Sequence, residues 1–384
     1  MLARVLGGDG GTEASILSLD IAVALRKLVS RYRYTLDAKL QFQRFGGGRT
    51  MVMQIATQMS ISASISSIIP PCYVLARRTF VALALGLGFG FGLAGSAAAQ
   101  DKGSVNPKPL LPLANPDDPK IPAKELFGRR PTAAKLAPRT VGFYSRGCLA
   151  GGEALPINGR AWQVMRLSRN RNWGHPMLVR FLEHLSERGT TAGWRGLLVG
   201  DMSQARGGPM LTGHASHQVG LDADIWLTPM PPRELTRLER EEMSAIMAVA
   251  PDRKDVDPNV WTPAHAAIIK AAAEDPQVQR IFVNPAIKKA LCRDNGPDRT
   301  WMSKVRAYWG HDYHFHVRLY CPADDPECKP QEPVPAGDGC GKELDYWFKD
   351  STLHPKPSPT PPKPRPGLTL AELPPACRQV LLAP

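Results

Sequence analysis

His314-Phe315-His316-Val317-Arg318-Leu319 alternates strictly between polar and apolar side chains. A repeat of two is the period of a strand, in which successive side chains point to opposite faces. Phe315, Val317 and Leu319 can then enter a core while His314, His316 and Arg318 share the other face. Gly310-His311-Asp312-Tyr313 leads into the strand and brings a third histidine with it.

A second stretch upstream has the same character. Gly213-His214-Ala215-Ser216-His217-Gln218-Val219-Gly220-Leu221-Asp222-Ala223-Asp224 ends in a strand expected over 221–227, on which Asp222 and Asp224 point one way and Ala223 and Ile225 the other. The chain has nine histidines, and His214, His217, His311, His314 and His316 fall in these two short clusters. Residues 196–202 and 278–283 read as further strands. Pro176 opens a helix with Met177, Leu178, Phe181, Leu182 and Leu185 on one face, and helices are expected over 263–274 and 285–292. Strands and helices mixed without strict alternation predict an α+β fold: an antiparallel central sheet flanked by helices and loops, in a single domain over 140–350.

The rest of the chain reads as address and tether. Arg77-Arg78, the apolar run from Phe80 to Leu93 and Gly95-Ser96-Ala97-Ala98-Ala99 form a signal peptide over 77–99, with cleavage expected before Gln100. The run is too short and too rich in glycine for a stable membrane span. Arg77-Arg78-Thr79-Phe80-Val81 also resembles a twin-arginine signal. Residues 1–76 stand awkwardly in front of such a signal and read as a mis-called start or a disordered extension, with Met59 an alternative start. Residues 100–139 read as an extended, mostly mobile lead-in, and 351–384 as a Pro-rich tail.

The net charge of +13 invites a nucleic-acid reading, but residues 1–99 carry +6 of it, and the remainder has no run of clustered Lys or Arg with interleaved aromatics. No nucleic-acid partner is expected. Seven cysteines become six once the signal is removed, an even number suited to an oxidising compartment, and no Cys-x-x-Cys spacing occurs. Six cysteines allow fifteen pairings, of which Cys321 with Cys328 is the easiest local pair.

His217 in a loop, Asp224 on one strand and His316 on another can converge on one ion, and two imidazoles with a carboxylate and an open fourth position make a catalytic zinc site. The six residues between His217 and Asp224 fit poorly with a non-haem iron site of the same ligand types. His217-x6-Asp224 with a distant His314-x-His316 resembles the lysostaphin and D-Ala-D-Ala metallopeptidase superfamily. The strings Gly-His-Ala-Ser-His-Gln-x-Gly-Leu-Asp-x-Asp, Arg-Ile-Phe-Val-Asn-Pro-Ala-Ile-Lys and Cys-Pro-Ala-Asp with Gly-Asp-Gly-Cys-Gly are similar to the penicillin-insensitive murein endopeptidases, from about Val141 to Cys377.

That resemblance implies a periplasmic zinc peptidase acting on peptidoglycan at D-alanyl–meso-diaminopimelyl cross-links. It implies His217, Asp224 and His316 as zinc ligands, His314 as the catalytic histidine and His311 as its partner. A second metal position is implied at His214 with Asp252 and Asp255, although Asp255 stands where the family has His. It further implies the disulfides Cys148–Cys377, Cys292–Cys340 and Cys321–Cys328. Neither His cluster contains a Glu, so His314 is expected to move the proton and Asp222 and Asp312 to orient imidazoles. No Gly-x-Ser-x-Gly nucleophile motif occurs. A D,D-carboxypeptidase and a non-catalytic wall-binding module are the alternatives.

Overall fold

In the computed structural model the described residues are 38–44, 51–57, 102–356 and 367–384. The chain divides into two units, Met1–Ser96 and Ala97–Pro384. In the first, β1 (Ala38–Arg44) and β2 (Met51–Thr57) pair antiparallel with Ala38 opposite Thr57. The signal peptide expected over 77–99 and the remainder of 1–76 lie outside the described residues.

The second unit contains β3 (Arg139–Phe143), β4 (Arg146–Ala150), β5 (Glu153–Ala154), β6 (Trp162–Val164), β7 (Trp173–Gly174) and β8 (Leu197–Val199). These are followed by β9 (Asp222–Trp226), β10 (Val278–Val283), β11 (Val305–Ala307) and β12 (His314–Leu319). The helices that position the site and its surroundings are α1 (Ala123–Phe127), α2 (Pro176–Thr191), α3 (Pro263–Ala273), α4 (Pro285–Asp294), α5 (Lys342–Asp345) and α6 (Ala376–Leu382).

Six strands form the main sheet in the order β11-β10-β12-β9-β8-β6. The expectation of an antiparallel sheet needs correction, because the sheet is mixed. β10, β12, β9 and β8 pair antiparallel, whereas β11 runs parallel to β10 and β6 parallel to β8. Parallel neighbours need a crossover, and the chain supplies α4 between β10 and β11 and α2 between β6 and β8.

One face of the sheet is apolar. Val317, Phe315, Ile281, Val283, Ala223 and Ile225 are buried there against α2 and α3 in a common core. The proline at its first turn suits the start of α2, where the His175 ring accepts a hydrogen bond from the Met177 N–H at 3.2 Å. Leu178, Phe181, Leu182 and Leu185 of α2 are buried, and each side chain of this size contributes roughly 1.5–3 kcal/mol on burial. With this face filled, the polar residues of β9, β10 and β12 are forced to the opposite one.

A smaller core joins the two ends of the unit. Phe127 of α1, Val141 of β3, Cys148 of β4 and Cys377, Val380 and Leu381 of α6 are buried together. The stretch 100–139, read from sequence as extended and mostly mobile, therefore differs at α1: Phe127 is fully buried and Pro122 bridges to Thr369. Arg206 caps α6 by donating from Nη1 to the carbonyls of Val380 and Leu381 at 3.1 and 3.0 Å. Three disulfides join Cys148 to Cys377, Cys292 to Cys340 and Cys321 to Cys328, each with a Cα separation of 5.7 Å. Among the described residues no helix is long and apolar enough to cross a membrane.

Candidate metal centre and active site

Strand register builds the site. His316 lies opposite Asp224, Arg318 opposite Asp222 and His314 opposite Trp226, so β12 and β9 present both histidines and both carboxylates on one face. The loop before β9 adds His214 and His217. It turns back at Gly220, where φ is +75° and an added β-carbon would stand 2.8 Å from the backbone nitrogen of His175, so only glycine fits. His217 and His311 both adopt left-handed backbone conformations, with φ of 66° and 56°. Such angles cost a non-glycine residue about 1 kcal/mol or more and gather at functional sites.

Hydrogen bonds anchor the loop at Gln218 and His217. Gln218 donates from Nε2 to the carbonyls of Ser145 and Ala215 at 2.9 and 3.1 Å, and its Oε1 accepts from Gly147 N–H at 3.2 Å. Asp222 accepts from the His217 N–H at 3.0 Å and from Nε and Nη2 of Arg318 at 2.8 and 3.0 Å. Burial pushes the Asp222 carboxyl up, but Arg318 and His316 together outweigh it and hold the group well below the usual carboxylate range.

Asp224 is the hub. Its Oδ1 lies 3.1 Å from His316 Nδ1 and 3.5 Å from His217 Nε2, and its Oδ2 lies 3.5 Å from His214 Nδ1 and 3.6 Å from His314 Nε2. Ligand atoms of His214, His217 and Asp224 all fall within 4.8 Å of one another. The ring of His316 is 4.6 Å from that of His217. Both ring nitrogens of His217, Asp224 Oδ1, His314 Nδ1 and His316 Nε2 are buried without a hydrogen-bond partner. An unmatched buried polar atom costs about 1–3 kcal/mol, and His217 Nε2 beside Asp224 Oδ1, with the His214 and His316 rings next to them, gives a donor set that suits a divalent cation of borderline softness.

Second contacts orient this set. His214 Nε2 meets Asp201 Oδ2 at 3.0 Å, and the same oxygen accepts from Arg169 and Arg171 at 2.9 and 2.8 Å. Asp201 follows the apolar run of β8 and is buried, a placement that the sequence alone does not mark as part of the site. Asp312, expected to orient an imidazole, contributes instead its backbone carbonyl, which accepts from Ala248 N–H at 2.7 Å.

His311 forms part of the wall. Its Nδ1 lies 2.7 Å from the Trp309 carbonyl, which places the ring proton on Nδ1 and leaves Nε2 as an acceptor. Burial, reinforced by His314 and His316, pushes His311 down to about 3. Burial likewise lowers His314, whose ring is 4.9 Å from that of His311. For His316 burial acts downward, but Asp222 and Asp224 outweigh it and raise the ring. A cavity of about 560 Å³ opens over His214, His311 and His316 and extends past Tyr308 and Phe282.

The residues suggested for a second metal do not join this group. Asp255 pairs with Lys289 at 3.2 Å and Arg293 at 2.7 Å, and Asp252 accepts from the Lys254 N–H at 3.0 Å. His214 turns to Asp201 and Asp224 instead, because the loop ending at Gly220 folds it back over β9.

A family model described as penicillin-insensitive murein endopeptidase matches residues 140–382. The penicillin-insensitive murein endopeptidase of Haemophilus influenzae is 48% identical over 246 residues, covering 64% of this chain and 82% of the relative. Those of Klebsiella pneumoniae strain 342 and Yersinia enterocolitica are 46% and 45% identical over 243 and 246 residues, covering 63% and 64% of this chain and 86% of each relative. The match spans the whole histidine site, both of its strands and all three disulfides, and the chain belongs to the penicillin-insensitive murein endopeptidase family.

Proposed function

We propose that the chain is a periplasmic, zinc-dependent endopeptidase that hydrolyses D-alanyl–meso-diaminopimelyl cross-links in peptidoglycan. The observation that carries the reading is the set of unmatched buried donor atoms on His217, Asp224 and His316 beside an open cavity. Those three residues would hold the ion, with His214 adjacent. The chemistry that zinc brings to such a site is Lewis acidity toward a peptide carbonyl and easier ionisation of water near neutral pH.

The chain's own residues supply the rest. Burial keeps His314 and His311 neutral at pH 7, so each retains a nitrogen able to take a proton from water and return it to the departing amine. Asp222 fixes the His217 backbone, and Asp201 fixes the His214 ring. Export to the periplasm is supported by the signal-like sequence at 77–99 and by three disulfides, which suit an oxidising compartment.

The test is digestion of purified cross-linked muropeptide dimers with and without a chelator, beside His314→Ala. The expected result is metal-dependent conversion to monomers, reduced at least about a hundredfold in the variant. Intact dimers in the presence of metal would overturn the reading in favour of a wall-binding module. Release of terminal D-Ala alone would make the chain a carboxypeptidase.

A further inference from the structure

Arg280, Arg306 and Arg318 stand on the same face of the sheet as the candidate metal ligands, and the register fixes where. Across the strands, Arg306 on β11 lies beside Phe282 on β10, Phe282 beside His316 on β12, and His316 beside Asp224 on β9. The next row runs Arg280, Arg318, Asp222. Neighbouring strands are about 4.8 Å apart, so the Arg306 backbone lies roughly 10 Å from the strand that carries His316. All three arginines line the same 560 Å³ cavity as His311 and His316.

Against these three charges the cavity lining holds one carboxylate, Glu343. Arg318 is held by Asp222, and its guanidinium also stacks 5.5 Å from the Phe282 ring. Arg306 pairs with Glu343 of α5, whose side chain is 54% exposed. Among the described residues Arg280 has no carboxylate partner; its Nη2 donates to the Glu332 carbonyl at 2.9 Å. Nε of Arg280 and Nη1 of Arg306 are buried donors without an acceptor. Burial lowers the Arg280 pKa, and Arg318 and Arg306 lower it further, the mark of like charges drawn together.

We propose that Arg280 and Arg306 receive a free carboxylate of an acidic peptide substrate and so select which peptides are placed across the histidine site. The proposal rests on the endopeptidase reading above. Guanidinium groups recognise carboxylates through paired, charge-assisted hydrogen bonds. Diaminopimelate suits the position, since at the proposed cleavage it carries a free carboxylate on the same carbon as the scissile nitrogen. Arg318 is not part of the receptor, because the fully buried Asp222 accepts from its guanidinium twice, whereas Glu343 on Arg306 is 54% exposed and leaves Arg306 Nη1 without an acceptor.

The test compares a purified muropeptide dimer with the same dimer after its carboxylates are converted to amides. For the unmodified protein, amidation should raise KM roughly ten- to a hundredfold, and Arg280→Gln should raise KM on the free-acid dimer by the same factor. Arg280→Gln should treat the two dimers alike, and Arg280→Lys should recover part of the preference. Calorimetric binding of both dimers to the metal-stripped protein supplies a readout that does not depend on turnover and should show the same preference. Equal cleavage and equal binding of both dimers by the unmodified protein would overturn the proposal and leave the endopeptidase reading intact. So would an equal loss on both dimers in Arg280→Gln. Cleavage of neither dimer by the unmodified protein would remove the endopeptidase reading, and the proposal with it.

Discussion

At Asp224 four imidazoles lie within 3.6 Å of one carboxylate, and of the nitrogens facing it His217 Nε2 is buried without a hydrogen-bond partner. The alternation Asp222-Ala223-Asp224 and His314-Phe315-His316 made this meeting legible in the sequence, since both pairs must leave the core on the same side. Asp201, Arg280 and Arg306 were not legible as site residues, because each is a polar residue on or beside a largely apolar strand whose destination depends on pairing across the sheet. Asp222 offers a residue-scale prediction. Its folded pKa is depressed, so the Asp222–Arg318 pair stabilises the fold above the unfolded value of about 3.9, and that stability is lost as pH falls through the folded pKa. Asp222→Asn leaves Arg318 buried and unpaired and should lose roughly 3–5 kcal/mol at pH 7. Denaturant unfolding of both proteins should show the gap narrowing below about pH 4, and a gap independent of pH would refute the assignment.

Secondary structure was read best where periodicity had room to show. β10 and β12 fall on the expected residues, and α2, α3 and α4 begin at the expected prolines. β6 and β11 have three residues each, too few to display a repeat, and their parallel pairing is what makes the sheet mixed. α1 is a single turn whose only strong signal is Phe127, and its partner α6 lies far along the chain. The Cys148–Cys377 bridge ties α6 to β4 across 229 residues of sequence. Replacing both cysteines with alanine should lower unfolding stability by roughly 2–5 kcal/mol. The histidine site should keep its activity at 25 °C, because α6 belongs to the smaller core and not to the sheet that carries the histidines. Thermal unfolding and dimer digestion on the same preparation check both halves. Unchanged stability would show that burial alone holds α6.

For the molecule as a whole, one face of a mixed sheet is filled with core and the other carries the chemistry, with a cavity above it. The location of the site followed from alternation in two strands, whereas the fold class was read from the mixture of strands and helices and missed the parallel pairings of the sheet. The pairing of the cysteines did not follow from spacing and came from likeness to a family. The proposed zinc site rests on His217, Asp224 and His316, whose buried ring and carboxylate atoms lack hydrogen-bond partners. The most direct measurement is calorimetric titration of zinc into metal-stripped protein, with Asp224→Asn alongside. The expected result is one equivalent bound by the native chain and affinity weakened more than about a hundredfold in the variant, since even groups that only orient ligands contribute ten- to a hundredfold. Absence of binding by the native chain, or binding that Asp224→Asn leaves unchanged, would contradict it.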